Sequence, residues 1–234
     1  MLKIKNFFIL AALSFIIIGG PSVSYSQLQL STAEEAHLIF MRSEEKLARD
    51  VYLTLAALYP EQSTFITIAT QSEQTHTDAM KDTLAAFNIA DPEPNADELP
   101  EALGIFENPY FSTYFEEKYD YLTASATSLL AALEVGALIE ELDMLDINYC
   151  NDAVYELFPL PGGTSCGLTA TDVTALENTL GNLLEGSENH LCAFVSQIGA
   201  VSPVCYTAQV LEQNEVLSII NENCPEFSGF VCAP

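Results

Sequence analysis

Helical periodicity in four long segments limits the folds open to this chain. Apolar residues recur every three or four positions over residues 38–55, 65–87, 133–147 and 173–198. This spacing places them on one face of an α-helix, and the alternation typical of β-strands is scarce. Helices of about 20 to 28 residues bury such faces against one another, so the pattern predicts an all-α fold, a four-helix bundle.

The segments between and after these helices complete the predicted architecture. A connection rich in proline and acids, residues 88–104, separates the second helix from the third and is predicted to be a solvated loop. It is long enough to let the chain cross over the bundle, with a shorter aromatic helix near residues 108–122. We therefore expect a bundle domain over residues 27–200 and a C-terminal extension over residues 201–234, with one short helix near residues 209–221.

The first 26 residues have the layout of a secretory signal peptide. Lys3 and Lys5 precede an apolar stretch of about a dozen residues, followed by small residues. The stretch is shorter than the roughly 20 residues that a spanning helix needs, although an uncleaved anchor stays open. We expect export to the bacterial periplasm or the extracellular space, with no membrane association after cleavage.

The cysteines fit an exported protein. All six lie in the last 85 residues, and none forms a CxxC pair. In an oxidising compartment this favours disulfides over zinc, with buried free thiols as the alternative. Proximity in sequence suggests Cys150 with Cys166 and Cys224 with Cys232. The cysteines are Cys150, Cys166, Cys192, Cys205, Cys224 and Cys232.

The charge balance excludes one class of partner. The chain carries 33 Asp and Glu against 7 Lys and Arg, for a net charge of -26. Recognition of phosphate needs a basic surface, so we expect no nucleic-acid partner. With 49% hydrophobic residues, the chain is also unlike a disordered acidic protein.

Polar residues interrupt each of the four apolar faces. Burying an unpaired carboxylate costs several kcal/mol, and a protein of ordinary stability, roughly 5 to 15 kcal/mol, cannot absorb several such costs. Either basic side chains or metal ions must neutralise these acids. Glu73 and His76 lie one turn apart on one helical face, and carboxylate and imidazole are natural metal ligands. The interrupting residues are Glu45, Glu73, His76, Glu140, Ser187 and His190.

Four motifs carry a resemblance to known proteins. EKLARDVY from Glu45 and FITIATQSEQTH ending at His76 resemble the rubrerythrin branch of the ferritin-like superfamily. MRSEEKLARDVY, SEQTH, VGALIEELDMLD and GSENHLCAF together resemble most closely the prokaryotic domain-of-unknown-function 2202 family. The resemblance spans about residues 31–198.

The resemblance implies a ferritin-like bundle with a paired metal site. The ligands carried over are Glu45, Glu73, His76, Glu140 and His190. Ser187 stands where the ferritin pattern has Glu, and Ala137 stands where rubrerythrins carry an extra Glu, which leaves open whether the site holds two metal ions or one. Asp143, one turn after Glu140, is the candidate that fills the gap, ahead of Glu44, Glu141 and Glu188. Cys192, beside His190, is expected to be structural.

Three functions follow from these observations. The first is an exported ferritin-like protein with a carboxylate and histidine site for iron, or for manganese or another divalent metal; as an enzyme it would react oxygen or peroxide with a ferrous pair. The second is metal binding without turnover. The third is a metal-free structural or interaction module, in which the buried acids pair with Arg42, Lys46 and Arg49. Metal ions are the expected partners, and the sequence leaves open whether the chain forms a dimer.

Overall fold

The computed structural model describes residues 30–160 and 164–234. The predicted signal peptide, residues 1–26, lies outside the described residues. The described part is all-α, with no β-strand beyond one isolated bridge between Tyr206 and Val231. Its helices are α1 (Thr32–Leu58), α2 (Ser63–Thr67), a π-helical segment (Ile68–Glu73), α3 (Gln74–Ala86), α4 (Ser112–Ser125), α5 (Leu129–Asn148), α6 (Asp152–Leu157), α7 (Thr174–Val201), α8 (Gln213–Asn223) and a 3-10 helix (Pro225–Phe230).

All four predicted long helices are present. The second runs without a break from α2 through the π-helical segment into α3. Helix α1 contacts α3 and α5, and α7 in turn contacts both α5 and α3, so the four long stretches close into a ring around a shared core. Their inner faces supply most of the buried apolar side chains, as the periodicity requires.

Local sequence sets where these helices begin. At Ser31 a capping box starts α1: the Ser31 hydroxyl accepts from the Glu34 backbone N–H, and the Glu34 carboxylate accepts from the Ser31 backbone N–H. The Ser128 hydroxyl caps α5 by accepting from the backbone N–H of Ala131. The short helix α6, which the periodicity does not predict, is capped by Asn151.

The acidic connection after α3 is not the solvated loop that its composition predicts. The Asp91 carboxylate accepts two hydrogen bonds from Arg42, and Glu93 is fully buried, accepting from the Ser43 hydroxyl at 2.6 Å. The Ala96 carbonyl accepts from Arg49 at 2.7 Å. The prediction is wrong on this inner side because the loop supplies acceptors for basic side chains of α1.

One of the two disulfides suggested by proximity is correct. Cys150 pairs with Cys166, whereas Cys224 pairs with Cys192 and Cys232 pairs with Cys205. The predicted Cys224 to Cys232 pair is wrong because the extension folds back onto α7, which brings Cys224 to that helix. The bridge at Tyr206 then places Cys232 beside Cys205. In the described residues, no helix combines the length and apolar character needed to cross a bilayer.

Candidate metal centre

Five of the six predicted ligands meet in the core between the four long helices. Helix α1 contributes Glu45, the π-helical segment and α3 contribute Glu73 and His76, α5 contributes Glu140, and α7 contributes His190. Every one is buried, with at most 8% of its surface exposed. We call these five residues the candidate metal centre.

The centre consists of two three-residue groups that share Glu73. In each, the candidate ligand atoms lie within 4.8 Å of one another. In the first group, His76 Nδ1 lies 3.3 Å from Glu45 Oε2 and 3.4 Å from Glu73 Oε2. In the second, His190 Nδ1 lies 2.9 Å from Glu73 Oε1 and 3.4 Å from Glu140 Oε2. The two oxygens of Glu73 thus approach different histidines, and this carboxylate joins the groups.

The approaching atoms are close enough to form ion pairs when the histidines are protonated, but they are not aligned for hydrogen bonds. Both oxygens of Glu45 and the Nδ1 atoms of His76 and His190 are buried without a hydrogen-bond partner, despite the short distances between them. Buried polar atoms in folded proteins are nearly always paired, so four such atoms in one place need an explanation. A cation between carboxylate oxygens and imidazole nitrogens satisfies all of them, and the donor set fits a divalent transition metal.

The pKa values of the carboxylates diverge within this small space. Burial raises the pKa of Glu45 to about 7, although His76 beside it acts in the opposite direction. Burial also acts to raise the pKa of Glu73, but His190 and His76 together outweigh it and lower this pKa to about 2. The shared carboxylate is therefore the one most firmly held in its charged form.

Both histidines hold their protons strongly when no metal competes. Burial acts to lower the pKa of His76, but the carboxylates of Glu45 and Glu73 outweigh it and raise this pKa to about 12. His190 responds in the same way to Glu140 and Glu73, and its pKa rises to about 10. A metal ion binding at Nδ1 must displace these protons.

Asp143, the sixth predicted ligand, lies beside the centre rather than within either group. The Ser187 hydroxyl donates to Asp143 Oδ2 at 2.5 Å, while Oδ1 is buried without a partner. Burial, and then the charge of Glu45, raise the pKa of Asp143 well above its usual range. Ser187, in place of the expected acid, thus orients a neighbouring carboxylate, and the ligand role of Asp143 stays a prediction.

Two further residues shape the centre. Tyr52, the last residue of the EKLARDVY motif on α1, is both a core residue and a hydrogen-bond donor. Its ring is fully buried against Phe194, and its hydroxyl donates to Glu140 Oε1 at 2.5 Å. Sequence reasoning missed Gly186 on α7, where a Cβ atom would collide with the ring of His76. A glycine in mid-helix, costly in propensity, was the available signal.

The three basic residues of α1 do not neutralise the centre. Arg42, Lys46 and Arg49, which we call the basic cluster, lie within one turn of Glu45 on α1, and their long side chains extend to the acidic connection. Arg42 pairs with Asp91 at 3.0 Å, Lys46 pairs with Asp50, and Arg49 pairs with Asp50 at 2.9 Å. The proposed pairing of the basic cluster with the inward acids is therefore wrong, because its side chains are already paired with these other acids.

The remaining candidates are engaged elsewhere. Glu141 accepts from three consecutive backbone N–H groups at residues 209–211 and from the Tyr206 hydroxyl. Glu188 accepts from Asn223 at the surface. Burial, and then the charge of Asp146, raise the pKa of Glu44 well above its usual range. Cys192 is structural, as expected, since it forms a disulfide.

Comparison with known proteins agrees with the resemblance to the domain-of-unknown-function 2202 family. The model of the family described as "Uncharacterized protein domain (DUF2202)" matches residues 34–156, a range that includes Glu45, Glu73, His76 and Glu140 but not His190. The "Uncharacterized protein MJ0754" of Methanocaldococcus jannaschii is 37% identical over 195 residues, covering 83% of this chain and 90% of that protein. The crystal structure of this hypothetical protein superposes with a TM-score of 0.66 over 82% of this chain and 94% of that one. The chain thus belongs to the DUF2202 family.

Proposed function

We propose that this chain is an exported, ferritin-like protein that binds two divalent transition-metal ions, with iron as the physiological metal. Glu45, Glu73 and His76 would hold one ion, and Glu73, Glu140 and His190 the other. The observation that carries the proposal is the set of buried, unpartnered ligand atoms around Glu73.

The balance of charge around the centre supports a cation. Three carboxylates of the centre and that of Asp143 face only two imidazoles, and the basic cluster is committed to other acids. Uncompensated carboxylates in a dry core are strongly unfavourable. Divalent ions supply the missing positive charge and use the oxygen and nitrogen donors present.

The arrangement of helices supports the ferritin-like assignment. Four long helices close into a ring, and each contributes at least one inward ligand residue, as in carboxylate-bridged metal proteins built on four-helix bundles. Export rests on the signal-peptide pattern of residues 1–26.

The chain itself provides a dry, partly closed centre. Bound iron would supply redox chemistry toward oxygen or peroxide. The side chains of Glu45, Glu73 and Glu140 are at most 2% exposed, whereas those of His76 and His190 are 10% and 8% exposed. A small oxidant would thus approach along the histidine edge, while Tyr52 holds Glu140 in place.

Metal analysis of the mature protein tests this proposal. We expect about two transition-metal ions per chain after anaerobic reconstitution with ferrous iron, from the two ligand groups. The double variant Glu73→Ala, His76→Ala should lose both, because Glu73 is shared. The matched control is Asp78→Ala with Asp82→Ala, which removes two exposed acids from the same helix.

Two outcomes would count against the proposal. A folded wild type that takes up no metal would favour a metal-free structural role, and equal metal content in the wild type and the double variant would place the metal elsewhere. To separate an enzyme from a store, peroxide is added to the ferrous protein: repeated turnover indicates an enzyme, and a single oxidation indicates a store.

A further inference from the structure

We propose that the two metal positions are unequal and fill in order. The first position, bounded by Glu45, Glu73 and His76, binds a divalent ion more tightly than the second position, bounded by Glu73, Glu140 and His190. This inference rests on the proposed function and adds the order of loading, which follows from how many ligand atoms each position keeps for a metal.

At the first position, the terminal carboxylate is uncommitted. Both oxygens of Glu45 are buried and have no hydrogen-bond partner. The residue is fully buried, so water does not satisfy them either. Glu45 can therefore offer both oxygens to a metal ion.

At the second position, half of the terminal carboxylate is already used. Tyr52 donates its hydroxyl to Glu140 Oε1 at 2.5 Å, and only Glu140 Oε2 faces His190. Among the described residues, the other acceptor of this hydroxyl is the Gly136 carbonyl, at 3.2 Å. Because Tyr52 is fully buried, bulk solvent does not compete for its hydroxyl, and the shorter bond to Glu140 is kept.

The two positions otherwise offer the same kinds of ligand atom. Each has one histidine Nδ1 and one oxygen of Glu73. The difference in available ligand atoms therefore lies in the terminal carboxylates, Glu45 and Glu140.

The affinity of a cation site rises with the number and charge of its ligands. A single hydrogen-bonding partner of a ligand typically changes metal affinity by about 10- to 100-fold. We therefore expect the dissociation constant of the first ion to be at least about tenfold below that of the second, with metal loading in two resolved steps.

Titration of the metal-free protein with Mn²⁺ tests the order. Free Mn²⁺ is followed by electron paramagnetic resonance, and bound ions are counted against chain concentration. In the wild type we expect a tight step followed by a weak step. Glu45→Gln should abolish the tight step, whereas Glu140→Gln should abolish the weak step and keep the tight one.

Tyr52→Phe provides the sharpest variant, because it frees Glu140 Oε1 without removing a ligand. We expect the second dissociation constant to fall, with the first unchanged, because the freed oxygen adds a ligand atom to the second position. Tyr59→Phe is the matched control, since it removes a hydroxyl that binds the Ala126 carbonyl at the end of α1. Circular dichroism of each variant reports whether the fold is retained.

The outcomes separate this inference from the proposed function. Two steps of equal affinity in the wild type, or loss of the tight step in Glu140→Gln, would overturn the inference and leave the metal centre standing. A higher second dissociation constant in Tyr52→Phe would also overturn the inference and leave the metal centre standing. A folded wild type that binds no Mn²⁺ and no iron would overturn both.

Discussion

Helix α1 carries two sets of buried charge, and they differ in how they are paired. The basic cluster of Arg42, Lys46 and Arg49 finds partners within the chain, and of its side-chain nitrogen atoms only Arg42 Nη1 lacks one. Glu45, within one turn of all three, has no hydrogen-bond partner for either oxygen. One set is paired as folded, and the other is left with unpartnered carboxylate oxygens.

The difference shows how burial distinguishes structural from binding charge. Asp50 accepts from Lys46, from Arg49 and from the Gly104 backbone N–H, so it links α1 to the acidic connection. The carboxylates of the candidate metal centre approach one another and two imidazoles instead. Buried charge that is fully paired secures the fold, whereas convergent charge without partners indicates a ligand.

The largest expected effect is the loss of stability when Asp50, the partner of Lys46 and Arg49, is removed. Asp50→Ala leaves two buried cations without their acid, and we expect a loss of about 3 to 5 kcal/mol in the free energy of unfolding. Chemical denaturation of the metal-free protein measures it. The Asp97 carboxylate also contacts Arg49, but it is 46% exposed. We therefore expect Asp97→Ala to lower the free energy of unfolding far less than Asp50→Ala. A similar loss of stability in the two variants would show that burial does not determine how much each of these acids stabilises the fold.

The affinity of the candidate metal centre for a metal ion should depend on pH. Because the pKa of His190 is raised to about 10, metal must displace a proton, and its affinity should increase by about tenfold per pH unit between pH 7 and 9. The measurement is competition with a chelator of known pH dependence. Metal affinity that does not change with pH would contradict proton release from the histidines.

In the metal-free protein, a rise in pH should lower stability, whereas it raises metal affinity. His190 has a higher pKa in the folded protein than in the unfolded chain, so its protonation stabilises the fold fully below the unfolded pKa, near 6.5. This stabilisation is lost as the pH rises through the folded pKa of about 10. The melting temperature of the metal-free protein should therefore fall over this range, and loaded protein should resist the fall. A melting curve independent of pH would count against charged histidines.

Gly186→Ala should disturb the candidate metal centre and spare the basic cluster. The added Cβ atom meets the ring of His76, and overpacking of this kind costs about 1 to 3 kcal/mol. Metal affinity should fall by about tenfold as the ligand moves. Gly181→Ala on the same helix meets nothing within 4 Å and should gain about 0.5 to 1 kcal/mol from helix propensity. Equal effects in the two variants would contradict a role for Gly186 in placing His76.

The smallest expected effect is a gain in the stability of the metal-free protein, in the variant Asp143→Asn. Because the pKa of Asp143 is raised, its charge is unfavourable in the metal-free fold, and Asp143→Asn should increase the free energy of unfolding at pH 8 by about 1 kcal/mol. The same variant should bind metal more weakly. Denaturation with and without Mn²⁺ measures both. A loss of metal-free stability would show that Asp143 is paired like Asp50.

The helices and the inward position of the acids and histidines could be predicted from the sequence because both depend on helical spacing. Glu73 and His76 are one turn apart, and Glu45, Glu140 and His190 interrupt apolar faces, so periodicity alone placed them on the inside. The ligand role of Asp143 could be suggested but not decided, because it depends on the contact with Ser187 from another helix.

Contacts between distant segments were beyond the reach of the sequence. Proximity suggested Cys224 with Cys232, whereas the backward fold of the extension pairs Cys224 with Cys192 on α7. Composition suggested a solvated loop, whereas Asp91 and Glu93 lie against α1. Proline and acid content report local backbone preference, and they carry no information about which distant side chains need acceptors.

By itself, the sequence determined that the chain is helical and that acids and histidines occupy apolar faces, because both properties repeat with the helical turn. Only the tertiary structure decided which charges neutralise one another. Arg42, Lys46 and Arg49 stand within one turn of Glu45, yet the packing of α1 sends them to the acidic connection and leaves Glu45 with Glu73 and His76. Ion pairing depends on distances of a few ångströms between elements, and those distances exist only once the helices have packed.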